Sequence, residues 1–148
     1  MAKSVALTDV ILELHVSDFD KVKDFYGKLG FKKVWEYPAK GQSGYLVIKR
    51  KDSILCFFCG NEEVYNHPYF KKFPKTTVKG YGVEIAIYLS DVKDVKIDDY
   101  YQQVIKTIGK DCIVEPLKLK PWGSKDFRII DPFGYYLCFR EPSNILHA

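Results

Sequence analysis

The two halves of this 148-residue chain carry the same order of structural signals, and that repetition leaves few folds open. In the first half Val10, Leu12, Leu14 and Val16 alternate with Ile11, Glu13 and His15, the period of a strand that buries one face. Ser17-Asp18-Phe19-Asp20 then offers helix-capping side chains. Val22, Phe25, Tyr26 and Leu29 recur at helical spacing, and Gly30 closes the helix. Strand-like runs follow at Phe31–Tyr37, Tyr45–Arg50 and Ile54–Cys59, with turn signals at Lys40-Gly41-Gln42-Ser43-Gly44 and Lys51-Asp52 between them.

The second half begins with Val83, Ile85, Ile87 and Leu89 alternating with Glu84, Ala86 and Tyr88. Ser90-Asp91 repeats the capping signal. Tyr100, Val104, Ile105 and Ile108 mark a helix that ends at Gly109, and strand-like runs follow at Cys112–Glu115, Phe127–Ile130 and Tyr135–Arg140. Ser17-Asp18 therefore falls on Ser90-Asp91, Asp24-Phe25-Tyr26 on Asp99-Tyr100-Tyr101, and Gly30 on Gly109. The expected fold is α+β: two βαβββ modules, residues 8–59 and 82–142, joined by a polar connector over 60–81 within one domain spanning 1–148. They form a cupped mixed sheet with a central cleft and helices on its outer face.

Composition fits one globular domain, with 47% hydrophobic and 28% charged residues. The net charge of +4 comes from basic residues spread along the chain rather than gathered on one element, which argues against a nucleic-acid partner. No apolar run approaches the roughly 20 residues of a membrane span, and no signal-peptide pattern opens the chain. A cytoplasmic protein without a membrane partner is expected. Cys56 and Cys59 have CxxC spacing but lie on a strand, where residues three apart face opposite ways. With Cys112 and Cys138 they read as small buried hydrophobes.

Parity assigns Ile11, Glu13 and His15 to the cleft, with Glu84, Ala86 and Tyr88 as counterparts, and groups Tyr136, Cys138 and Arg140. A carboxylate in mid-strand is costly unless it meets water, a partner or a ligand, so Glu13 and Glu84 suit a cleft wall. Glu13 lies two residues from His15 and can pair with it, as an acid–base couple or to hold a hydrogen-bonded imidazole. Trp122, between Pro121 and Gly123, either stacks on a planar ligand or plugs its own core. Trp35, Tyr45 and Phe58 are further wall candidates. Arg128 and Arg140 suit an anionic group or surface ion pairs. His67 reads as solvated, and Asp131-Pro132-Phe133-Gly134 as a turn.

Three stretches resemble the vicinal oxygen chelate superfamily, which includes glyoxalase I, extradiol dioxygenases and bleomycin-resistance proteins. They are His15-Val-Ser-Asp-Phe-Asp-Lys-Val-Lys-Asp-Phe-Tyr-Gly-Lys-Leu-Gly-Phe31, the Gly82–Ser90 strand, and Pro121-Trp122-Gly123 followed by Phe127-Arg128 and Asp131-Pro132-Phe133-Gly134. The last of these is similar to the bleomycin-resistance branch in particular, as is Leu55-Cys56-Phe57-Phe58. The resemblance implies a homodimer, and in metal-dependent members four inner-face ligands drawn from His, Gln and Glu. The matching positions here hold Ile11, Leu55 or Cys56, Glu84 and Cys138, a set poorly suited to Ni, Mn or Fe(II).

The function expected is metal-independent binding and sequestration of a small, antibiotic-like molecule, without catalysis and without a cofactor. Its cleft would draw on Glu13, His15, Trp35, Tyr45, Cys56, Phe58, Glu84, Tyr88, Trp122, Arg128, Tyr136 and Cys138. The alternative is a lyase, isomerase or dioxygenase of the same superfamily, with a divalent metal at Glu84, Cys56 and Cys138. Bleomycin itself is cationic and suits a net basic chain less well, unless Glu13 and Glu84 make the groove locally acidic.

Overall fold

A computed structural model describes residues 9–37, 44–90 and 95–142. Lys40 to Ser43 of the first turn signal, and Asp91 of the second capping signal, lie outside the described residues. In the first half β1 (Glu13–Val16), α1 (Phe19–Lys28), β2 (Lys32–Tyr37), β3 (Gly44–Arg50) and β4 (Ser53–Cys59) form a sheet of order β1-β4-β3-β2. The second half repeats the plan. There β5 (Glu84–Tyr88), α2 (Ile97–Thr107), β6 (Ile113–Leu119), β7 (Lys125–Ile130) and β8 (Tyr136–Arg140) give the order β5-β8-β7-β6. In both sheets the first strand runs parallel to the last, as a βαβββ unit requires, and the other pairings are antiparallel.

Asp18 caps α1 by accepting from the Lys21 amide at 3.0 Å, as the sequence predicts. The corresponding cap fails in the second half. There α2 starts at Ile97 with Lys96 as its unassisted cap, and Asp98 and Asp99 in the first turn complement the helix dipole instead. The run expected at Cys112–Glu115 is also different: Cys112 ends a 3-10 turn and β6 continues to Leu119. Its register breaks between Glu115 and Lys118, around Pro116, which has no N–H to give the ladder.

Leu14, Val16, Val22, Tyr26, Leu46 and Phe57 of the first half join Ile87, Val104, Phe127 and Phe139 of the second in one continuous core. Polar groups fix this junction. The Tyr26 hydroxyl donates to Asp131 Oδ2 at 2.8 Å, and the Tyr135 hydroxyl donates to the His15 carbonyl at 2.7 Å. Asp131 heads the expected turn, its Oδ1 accepting from the Phe133 and Tyr135 amides at 2.9 and 2.8 Å.

The connector has structure of its own, with 3-10 turns at Glu62–Asn66 and Phe70–Lys72. It is seated at Gly80, whose φ of +67° is open to glycine and where a Cβ would stand 2.9 Å from the Tyr135 ring. Among the described residues no helix is long and apolar enough to cross a membrane.

Candidate functional site

Register places six of the expected site residues on the inner face of the first sheet, opposite the buried Leu14, Val16, Leu46 and Phe57. Glu13 pairs with Cys56, which pairs with Val47 and, beyond it, Trp35; His15 pairs with Phe58, which pairs with Tyr45 and then Tyr37. Tyr45 donates its hydroxyl to Glu13 Oε1 at 2.6 Å, and burial together with Cys56 and Glu13 pushes the phenol upward, keeping it neutral. Trp35 and Tyr37 stack flat, with centroids 5.9 Å apart and 7° between planes, and both are more than a third exposed. The expected Glu13–His15 pair does not form, because Tyr45 takes the carboxylate.

His15 is not an open cleft residue. It is 8% exposed and lies under the connector, 4.9 Å from both Phe58 and Phe70 and 5.6 Å from His67. His67, expected in solvent, sits in this ring cluster with Nδ1 accepting from the Tyr69 and Phe70 amides. Burial, and then the charges of Lys79 and His67, lower the His15 pKa from 6.5 to about 4; a hydrogen bond to the Val64 backbone opposes the shift. A depressed folded-state pKa adds stability that is complete above about 6.5 and lost as pH falls toward 4. This amounts to up to about 3 kcal/mol. In urea unfolding, His15→Phe is therefore expected to flatten the loss of stability between about pH 7 and 4.5. Equal losses in variant and parent would show that His15 is not held neutral.

The inner face of the second sheet is a charge network. Arg128 Nη1 donates to Glu115 Oε2 and Asp126 Oδ1, each at 2.8 Å, and its Nε lies 3.3 Å from Glu84 Oε1. Arg140 reaches Glu84 Oε1 at 3.1 Å and Cys138 Sγ at 3.4 Å, with its guanidinium 5.8 Å from the Tyr88 ring centre. Tyr136 pairs with Glu84 and Ile130. Arg128 thus forms the ion pairs expected of it, but largely covered rather than out on the surface, since its side chain is only 13% exposed and Asp126 beneath it is 1% exposed. Trp122 stands apart, exposed on the loop from Lys120 to Gly123, and plugs no core. No hydrogen bond, ion pair or ring contact among the described residues joins the first-sheet set to the second-sheet set.

These donors do not suit a metal. Among the described residues no group of three or more His, Cys, Asp or Glu is placed to hold one. Glu84 already faces two guanidiniums, whose charge repels a cation. Cys138 is fully buried, and burial raises its thiol pKa, favouring the protonated form that binds metal poorly. Sequence reasoning missed Glu115, Asp126 and Lys120 as members of the network, although Asp126 and Arg128 alternate on the same face as Arg140. It also missed the aromatic content of the connector, where Tyr65, Tyr69, Phe70 and Phe73 were a legible signal.

A family model described as the Glyoxalase/Bleomycin resistance protein/Dioxygenase superfamily matches residues 9–139. Among solved structures, SMU.1112c is similar at 26% identity and a TM-score of 0.62, over 92% of this chain and 100% of that one. A bleomycin-binding protein complexed with bleomycin is similar at 20% identity and 0.56, over 92% and 99% of the two chains. The glyoxalase family protein from Enterococcus faecalis gives 20% and 0.62, over 91% and 98%. No curated protein matches the sequence.

Proposed function

This chain belongs to the Glyoxalase/Bleomycin resistance protein/Dioxygenase superfamily, and from there we propose that it is a metal-independent protein that binds and sequesters a small, antibiotic-like molecule. The observation that carries this reading is the open Trp35–Tyr37 stack on the first sheet, beside the Tyr45–Glu13 hydrogen bond. Exposed flat rings next to a fixed polar pair suit a planar ligand that needs both stacking and one oriented hydrogen bond. A bleomycin complex on the same fold supports a small-molecule role. The second sheet argues for a ligand other than a strongly cationic one, because Arg128 and Arg140 neutralise Glu84.

The groove is completed by a second copy of the chain, and the protein works in the cytoplasm. Trp35 and Tyr37 expose 50% and 59% of their surface on the inner face of the first sheet, and Ile11, just ahead of β1, exposes 56%, apolar area that a homodimer would cover in part. The test is a fluorescence titration read from Trp35 and Trp122 with bleomycin-class drugs and assorted planar compounds. Saturable quenching is expected, weakened at least tenfold, about 1.4 kcal/mol, by Trp35→Ala. Absence of saturable quenching by any compound would remove the reading. Elemental analysis after incubation with Ni, Mn, Fe(II) and Zn is expected to show no stoichiometric metal. Bound metal that disappears in Glu84→Ala would replace sequestration with a metal-dependent enzyme.

A further inference from the structure

A feature not used above is a cavity of about 490 Å³ between the connector and the junction of the two halves. It is within the roughly 300–1,000 Å³ range of small-molecule sites. Of the expected cleft residues only His15 lines it, so it is separate from the open Trp35–Tyr37 face. One wall is rigid: His15 and Tyr135 are both buried and joined by the 2.7 Å hydrogen bond from the Tyr135 hydroxyl to the His15 carbonyl. The opposite wall is aromatic, with Tyr65, Phe70 and Phe73 among the connector side chains that face the space.

Its charge is one-sided. Among the described residues Lys71, Lys75 and Lys79 line the cavity, the first two at its open side, while no Asp or Glu lines it and none of the three lysines forms a salt bridge. Lys75 and Lys79 lie over the Tyr65 ring, 4.6 and 6.0 Å from its centre, which holds both ammonium groups at an aromatic surface. Lys79 is half-buried, and burial lowers its pKa, a cost that a bound anion would offset. His15 Nε2 is a buried polar atom without a hydrogen-bond partner. A cavity built only for packing would not leave a buried, unpaired imidazole nitrogen at its wall.

We propose that this cavity binds an organic anion with an aromatic body, its carboxylate held by Lys75 and Lys79 and its ring lying among Tyr65, Phe70 and Phe73. The proposal does not rest on the groove, because the residues that would hold the anion and its ring, Tyr65, Phe70, Phe73, Lys75 and Lys79, belong to the connector. Isothermal titration calorimetry with 2-naphthoate, 2-naphthalenemethanol and 2-naphthylmethylamine tests it, since the three share a ring system and differ in charge. Naphthoate is expected to bind with one site per chain, at least tenfold more tightly than the alcohol, while the amine does not bind. Affinity should fall as salt rises. The double substitution Lys75→Gln/Lys79→Gln is expected to cut naphthoate affinity at least tenfold, with an unchanged unfolding midpoint and unchanged quenching by any compound that titrates Trp35. Equal binding of naphthoate and the alcohol, equal binding in parent and double variant, or no saturable naphthoate binding by about 1 mM would overturn it.

Discussion

Arg128→Met is expected to cost this protein about 3 kcal/mol of stability, a large share of the 5–15 kcal/mol that holds a domain folded. Arg128 is the shared partner of Glu84, Glu115 and Asp126, and its guanidinium makes 2.8 Å contacts with the last two. Methionine keeps much of the side-chain volume but removes the charge. Asp126, with 1% of its side chain exposed, is then left with Lys120 at 3.5 Å as its remaining cation. A buried carboxylate stripped of its main partner is costly because water cannot reach it to compensate. Urea denaturation of Arg128→Met, Asp126→Asn and the double variant checks this. The double variant should recover part of the loss, since it removes the stranded charge. A single variant within about 0.5 kcal/mol of the parent would show that the network contributes little.

The second large effect is at the junction. Asp131→Ala is expected to destabilise by about 3–5 kcal/mol, because three donors lose their acceptor at once: the buried Tyr26 hydroxyl and the Phe133 and Tyr135 amides. Burial raises the pKa of the Asp131 carboxyl, against the pull of Tyr26 and the backbone donors, so an uncharged acceptor is tolerated here. Asp131→Asn keeps an oxygen for the two amides and should cost only about 1 kcal/mol. Tyr26→Phe, which removes the donor and leaves the turn intact, should also cost about 1 kcal/mol. Thermal unfolding of the three variants ranks them. If the alanine and asparagine variants unfold together, the carboxylate is not the acceptor that joins the halves.

Much of the first half was legible because its signals are local. Val22, Phe25, Tyr26 and Leu29 lie on one helix face whatever surrounds them, and Asp18 caps α1 through an amide three residues away. The same kind of signal failed at Ser90, because α2 starts only at Ile97. It fell short at Glu115, where Pro116 disturbs the ladder but pairing with β7 carries the strand to Leu119. Half of the candidate site was similarly legible. Period two puts Glu13, Cys56 and Trp35 on one face once the strands are paired. What became of those residues was not. Glu13 is taken by Tyr45, which is 32 positions away in the chain, and Glu84 by Arg128 and Arg140, 44 and 56 positions away.

Local pattern is enough to lay out the two βαβββ halves and the alternation that gives each sheet a core face and an inner face, and the family resemblance adds the poor metal-ligand set at Ile11, Glu84 and Cys138. Long-range contacts are what bring the connector over His15, leave a cavity lined by lysines and rings beneath it, and make Asp131 the link between the halves. The division has a physical basis. Period and capping act through neighbours within about one helical turn or along one strand, so composition and spacing carry them. Burial, charge pairing and cavities depend on which distant segments meet, and those contacts form only when the whole core closes around them.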